Sequence, residues 1–192
     1  SERIRSSAGQ VAATKATISD AIASVFDAVE GDRIAALVTP IVQATKVWVL
    51  SGETSQAGAR ALQSGLAMVR PGVHWLEEHS VGTELSDAAP GDTAIVIDFS
   101  RYRKQVTLAA QVLAESGVTI VAITDSPLSP LVELADTWSQ INVPAVGPFD
   151  SSVPVVAMCE LVVAQVAREL QEVATDRIDR IEAHWEQTET FV

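Results

Sequence analysis

Cysteine and long apolar runs are scarce in this sequence of 192 residues. The single cysteine, Cys159, cannot form a disulfide within the chain, and its apolar surroundings predict a buried, unreactive thiol. The longest apolar stretch, residues 153–166, is interrupted by Glu160 and Gln165 and is too short to span a bilayer. The N-terminus is polar and lacks the apolar core of a signal peptide. We therefore expect a cytoplasmic protein with no membrane partner.

Positive charge is also scarce. The sequence has 13 Lys and Arg residues against 25 Asp and Glu residues, which gives a formal net charge of −12. A surface with this excess of carboxylates repels the phosphates of DNA, so we expect no direct binding of nucleic acid. Because the sequence begins at Ser1 and not at methionine, we expect any contact with DNA to pass through a further domain upstream.

The sequence does contain a regular alternation of short apolar segments with helical ones. Five segments are predicted as strands: residues 47–50, 73–76, 93–97, 119–123 and 137–143. Helices are predicted between them, including residues 55–69 and 102–116 and a short one at 129–135. Continuously apolar strands are typical of sheets that are covered on both faces. The pattern predicts an α/β fold, a three-layer α/β/α sandwich around a five-stranded parallel sheet with flavodoxin-like order.

Helices are also predicted at both ends of the chain. We predict residues 1–40 to be a helical linker or dimerisation segment, 41–173 the α/β domain, and 174–192 a C-terminal helical extension. The apolar segment 155–170 and the stripe formed by Ile178, Ile181 and Trp185 indicate a subunit contact in a homodimer or higher oligomer. The alternative is a helix that folds back on its own domain.

Hydroxyl-bearing segments follow three of the predicted strands, at residues 51–55, 98–104 and 124–130. Ligands bind beyond the carboxyl ends of strands in an open parallel sheet, and the N–H groups at helix starts favour anions. The alternative is that the Ser and Thr residues only cap helices. The candidate ligand-binding residues are Ser51, Glu53, Thr54, Ser55, Asp98, Ser100, Arg101, Arg103, Thr124 and Ser129.

The charges near these segments favour a small anionic ligand. Arg101, Arg103 and Lys104 form a basic cluster in an otherwise acidic chain, which suits an anion clamp, although solvated charges on a first helical turn are the alternative. Asp98 and Glu53 argue against a phosphate unless they bind sugar hydroxyls or pair with those arginines. The helix after Ser55 carries small residues that predict a close approach to the sheet: Ala57, Gly58, Ala61, Ser64 and Gly65.

Three segments, SGETS (51–55), VIDFSRY (96–102) and VAITDSPLSPLVELAD (121–136), resemble the sugar isomerase (SIS) domain. More narrowly, residues 41–170 resemble the effector domain of RpiR/MurR-family bacterial transcription regulators. The resemblance implies that Ser55 and Ser100 contact the phosphate of a phosphosugar. It also places Thr124 and Ser129 in a third strand-end loop. The sequence departs from the family pattern in four places: Ser51, Glu53 and Arg101 replace glycines, and Asp98 replaces a serine.

An enzyme of this type needs a base, for which the candidates are Glu53, His74, His79 and His184. These residues do not assemble into a catalytic motif, and the histidines lack zinc-ligand spacing, so we expect no catalytic residue, metal or cofactor. We therefore predict the ligand-sensing domain of a transcription regulator that binds a phosphosugar or related anionic metabolite, with a helix-turn-helix domain upstream. The alternatives are a phosphosugar isomerase with Glu53 or His79 as base, and a ligand-free dimerisation module.

Overall fold

Five parallel strands form the central sheet of the computed structural model, which describes residues 10–77 and 81–191. The strands are β1 (Val47–Ser51), β2 (Val73–Trp75), β3 (Thr93–Ile97), β4 (Thr119–Thr124) and β5 (Thr137–Gln140). Their order is β2-β1-β3-β4-β5, which confirms the predicted flavodoxin-like arrangement. Ser51 is in register with Ile97, and Ile97 with Ile123. The loops that follow β1, β3 and β4 therefore start at the same edge of the sheet.

Helices cover both faces of this sheet and complete the predicted three-layer sandwich. One face carries α1 (Gln10–Ala28), α2 (Asp32–Gln43), α3 (Gln56–Val69), α6 (Val153–Glu169) and α7 (Gln171–Gln187). The other carries α4 (Val81–Leu85) and α5 (Lys104–Glu115). Alternate residues of β1 face opposite layers, with Val49 in the first core and Leu50 in the second. This two-sided burial explains the continuously apolar strands.

A very close contact joins α3 and α6. A Cβ atom on Gly58 would overlap the side chain of Val155 and lie 3.1 Å from its backbone carbon, and one on Gly65 would lie 2.9 Å from Val163 Cγ1. The small-residue face of α3 thus lies against α6. We had predicted that it lies against the sheet. Cys159 of α6 is buried, as predicted. Its burial, and to a smaller extent the negative charge of Glu160, raise the pKa of its thiol to about 12.

The C-terminal region forms two helices, α6 and α7, which meet at Leu170. The start of α7 folds back on the same chain, since Ala174 is buried and Arg177 Nε donates a hydrogen bond to the Ala67 carbonyl at 2.8 Å. The predicted divisions after residues 40 and 173 fall within α2 and α7. Both this division into domains and the subunit contact stay predictions. Within the described residues, no helix is long and apolar enough to cross a membrane.

Two local predictions were wrong. Residues 129–135 form successive turns instead of a helix, because their backbone bonds join residues three apart, such as Val132 N–H to Ser129 O and Leu134 N–H to Leu131 O. The helix predicted from residue 102 begins later, at Lys104. The short helix α4 and a hairpin of β6 (Ala145–Val146) and β7 (Phe149–Asp150) were not predicted.

Candidate functional site

The loops after β1 and β3 meet at the point where the strand order reverses, the usual ligand position in this fold. Gly52 N–H donates to the Ile97 carbonyl at 3.0 Å, so the first loop continues the pairing of the two strands. Residues Glu53–Ser55 then form one turn of 3-10 helix that leads into α3. This geometry places the first two of the three predicted segments side by side.

Ser55 fastens the first loop to the sheet. Its side chain is fully buried (0% exposed), and its hydroxyl donates to the carbonyls of Ile97 at 2.7 Å and Gly52 at 3.0 Å. The hydroxyl therefore faces the interior, although the sequence predicts it at the ligand. Thr124 and Ser129 are buried as well.

Asp98 fills the space between the two loops. It is 2% exposed, and its carboxylate accepts the backbone N–H of Phe99 at 3.0 Å and of Arg103 at 2.7 Å. Burial raises the pKa of Asp98, and the two backbone hydrogen bonds partly oppose that rise. A Cβ atom on Gly52 would lie 2.7 Å from Asp98 Cγ and overlap Oδ1, so only glycine fits there.

Asp125, at the end of β4, holds the other half of the β3 loop. It accepts the backbone N–H of Ser100 at 2.9 Å, the Ser100 hydroxyl, and the Tyr102 hydroxyl at 2.7 Å. Burial raises the pKa of Asp125, but the hydrogen bonds from Ser100 and Tyr102 outweigh it and leave the pKa below its usual value. Sequence reasoning missed Asp125 and Tyr102, although Asp125 directly follows a predicted strand end.

Arg101 adopts a left-handed backbone conformation, with φ of 74°. A side chain is disfavoured in this conformation, which explains why the family pattern has glycine there. Ser100 lies four residues before the start of α5, so its hydroxyl is not at the helix N-terminus.

A cavity of about 350 Å³ opens beside the two loops. Its polar lining consists of Ser51, Glu53, Gln56, Glu77, Arg103 and Gln105. Its apolar lining consists of Leu50, Trp75, Leu76, Val106 and Ala109. Arg103 and Glu53, which both line the cavity, form an ion pair. Among the described residues, three buried side-chain atoms have no hydrogen-bond partner: Ser51 Oγ and Trp75 Nε1, whose residues line the cavity, and Thr124 Oγ1.

A second, more open groove of about 750 Å³ lies on the other side of the β1 loop. Arg101 and Thr54 line this groove and not the cavity, together with Arg60 and the exposed Phe149. Arg60 also pairs with Glu77 at 2.9 Å and stacks on the Trp75 ring. The structure thus brings Ser51, Glu53 and Arg103 together in the cavity and places Arg101 and Thr54 outside it.

The candidate bases are dispersed. Glu53 lines the cavity, His74 stacks on Trp48 with ring centroids 4.9 Å apart, and His184 lies on α7. His79 lies outside the described residues. Over residues 10–77 and 81–191, no group of three His, Cys, Asp or Glu side chains is placed to hold a metal ion.

Comparisons with known proteins agree with this geometry. A family model described as the SIS domain matches residues 40–167. The RpiR transcription factor of Sphaerobacter thermophilus (sugar isomerase domain) is similar in structure, with a TM-score of 0.85 and 25% identity over 91% of this chain and 99% of that one. No curated protein sequence matches the chain.

Two further solved structures share the fold. The Vibrio vulnificus NanR protein, complexed with ManNAc-6P, has a TM-score of 0.80 and 17% identity over 93% of this chain and 69% of that one. A Methanococcus jannaschii protein, inferred to be a 3-hexulose-6-phosphate isomerase, has a TM-score of 0.68 and 18% identity over 83% of this chain and 94% of that one.

Proposed function

The chain belongs to the SIS domain family, and on that premise we propose that it is the ligand-sensing domain of an RpiR-type transcription regulator whose effector is a small carbohydrate derivative. The similarity to the Sphaerobacter thermophilus regulator over 91% of the chain supports the regulatory role. DNA would be bound by a helix-turn-helix domain upstream, because this chain carries a net charge of −12. A homodimer remains our prediction for its assembly.

The observation that carries the proposal is the cavity beside the loops of β1 and β3, whose lining includes the Glu53–Arg103 ion pair. Glu53 belongs to the turn before α3, and Arg103 directly precedes α5. A ligand in the cavity would contact both groups and change the relative position of the two helix starts. Such a change converts occupancy into a movement that other domains detect.

The names of the similar proteins support a carbohydrate as the effector. NanR was solved with ManNAc-6P, and the Methanococcus jannaschii protein is inferred to act on a hexulose phosphate. A phosphosugar or related anionic metabolite is also the class that the sequence predicts. Arg103 is the basic side chain in the cavity lining, so it is a donor that an oxygen atom of the effector would contact.

The proposal is tested by calorimetry with a panel of monosaccharides, polyols and their phosphate esters. The variant Val106→Trp fills the cavity from the first turns of α5 and should weaken binding at least 100-fold. Val112→Trp is the matched control, since Val112 lies on the same helix, is 44% exposed and does not line the cavity. Binding that survives Val106→Trp would contradict the site, and a panel without any binder would contradict the carbohydrate class.

An isomerase is the second candidate function, favoured by the carboxylate of Glu53 in the cavity lining. Glu53 is held by its ion pair with Arg103, and a carboxylate at this place could accept a proton from a bound substrate. NMR spectra of aldose and ketose phosphates incubated with the protein would reveal isomerisation. Turnover that Glu53→Gln abolishes would establish the enzyme, whereas binding without turnover favours the sensor.

A further inference from the structure

Four residues of the β3 loop donate hydrogen bonds to the protein's own carboxylates. Asp98 accepts the N–H groups of Phe99 and Arg103, and Asp125 accepts the N–H and hydroxyl of Ser100 and the hydroxyl of Tyr102. Loop N–H groups and hydroxyls at this edge of a sheet are the donors that ordinarily hold a bound anion. Two aspartates therefore occupy the positions of a ligand's anionic oxygens.

The space between the loops is filled as well. Asp98 Oδ1 lies so close to Gly52 that not even a methyl group on Gly52 would fit, and only 2% of the Asp98 surface is exposed. A phosphate group, which is larger than a methyl group, has no room between the β1 and β3 loops unless Asp98 leaves.

The charges that line the cavity also disfavour a phosphate. Glu53 and Glu77 contribute two carboxylates, while the guanidinium of Arg103 is paired with Glu53. Glu77 is in turn paired with Arg60, and a phosphate that reached Arg103 would have to displace Glu53 from its ion pair. The lining therefore provides no net positive charge for a dianion.

The same lining suits hydroxyl groups. Ser51 and Trp75 line the cavity, and their Oγ and Nε1 atoms have no hydrogen-bond partner among the described residues. The Gln56 and Gln105 amides donate and accept, and the carboxylate of Glu53 accepts. The apolar lining residues provide a surface for the C–H groups of a sugar ring.

Resting on the proposed function, we infer that the effector is an uncharged carbohydrate or polyol without a phosphate group, and that Asp98 is the specificity residue that excludes phosphate. This ligand class differs from the phosphosugar or related anionic metabolite that the sequence predicts. The following experiment would overturn this inference if it found that the chain prefers a phosphosugar.

The experiment measures affinities for matched pairs, such as glucose with glucose 6-phosphate, ribose with ribose 5-phosphate and myo-inositol with its monophosphate. At least one free compound should bind 10-fold or more tightly than its phosphate ester, and inorganic phosphate at 10 mM should not compete. A phosphate ester that binds more tightly than its free partner overturns this inference and leaves the proposed function intact. If neither member of any pair binds, the carbohydrate effector itself is refuted.

The variant Asp98→Ser tests the role of the carboxylate. It frees the N–H groups of Phe99 and Arg103 and should shift selectivity at least 10-fold toward the phosphate ester. Asp87→Ser is the control, since it removes the same charge at an exposed position outside the cavity lining. An unchanged selectivity in folded Asp98→Ser overturns the role of Asp98. The matched pairs on the unaltered chain test the ligand class even if this variant does not fold.

Discussion

The two sides of β3 differ in how their polar groups are satisfied. Toward β4, Asp125, Ser100 and Tyr102 bond to one another in a closed cluster. Toward β1, Ser51 Oγ and Trp75 Nε1 are buried and, within the described part of the chain, unpartnered, as is Thr124 Oγ1 at the end of β4. Buried polar groups are paired almost everywhere in folded proteins. The Asp125 cluster on the β4 side therefore shapes the β3 loop, whereas the β1 side holds the open cavity.

Asp98 and Asp125 show the same contrast in their titration. Burial raises the pKa of Asp98 more than its two backbone hydrogen bonds lower it. For Asp125 the pKa is lowered, because bonds from Ser100 and Tyr102 outweigh its burial. The surroundings of Asp98 therefore disfavour its charged form, whereas those of Asp125 favour the charged form.

The largest effect should come from Gly52→Ala, which adds a methyl group where the β1 loop contacts Asp98. The added Cβ would collide with the Asp98 carboxylate, which has no free space to move into between the loops, so we expect unfolding to become easier by about 3 kcal/mol. Urea denaturation measures the change. Gly82→Ala is the control, because nothing lies within 4 Å of a Cβ atom there. Equal stability of the two variants would contradict the tight contact.

Removing the centre of the closed cluster should have the next largest effect. Asp125→Ala leaves the Ser100 and Tyr102 donors without their charged partner and should lower the free energy of unfolding by about 2 kcal/mol. Ser51→Ala, on the cavity side, removes a hydroxyl without a partner among the described residues and should change stability by less than about 0.5 kcal/mol. Similar losses in both variants would erase the contrast between the two sides.

The pH dependence should have opposite signs at the two aspartates. The stability contributed by Asp125 is present above its unfolded pKa of about 3.9 and is lost as pH falls through its lower folded value. The contribution of Asp98 is complete below about pH 3.9 and is lost as pH rises through its higher folded value. Urea melts of Asp125→Asn and Asp98→Asn between about pH 3 and 7 should therefore give stability differences from wild type with opposite slopes. Parallel slopes would contradict one of the two assignments.

The smallest effect is expected at Arg101, whose φ is 74°. A side chain in the left-handed region costs about 1–2 kcal/mol, and glycine loses about 0.5–1 kcal/mol through its greater freedom when unfolded. Arg101→Gly should therefore stabilise the protein by about 0.5 kcal/mol in thermal or urea melts. Arg33→Gly, within α2, should instead destabilise it, and a loss of stability in both would show that Arg101 makes compensating contacts.

The sheet could be predicted because its strands carry their signal locally, as in the apolar residues 94–97. The site depended on contacts that are distant in sequence. The Ser55 hydroxyl bonds to a carbonyl 42 residues away, and Asp125 to donors 23 and 25 residues away. A serine before a helix looks the same in sequence whether it caps the helix or faces the interior, and this ambiguity led us to place Ser55 at the ligand.

The glycine contacts between α3 and α6 have a mechanical consequence. With Gly58 against Val155 and Gly65 against Val163, the two helices interlock along their length, so we expect them to move as one rigid lever. The lever begins at the β1 loop, and α1 and α2 pack on α6. We then expect that a shift of Glu53 by a fraction of an ångström is not lost in side-chain rearrangements. It would be transmitted through α3 and α6 to the N-terminal helices α1 and α2.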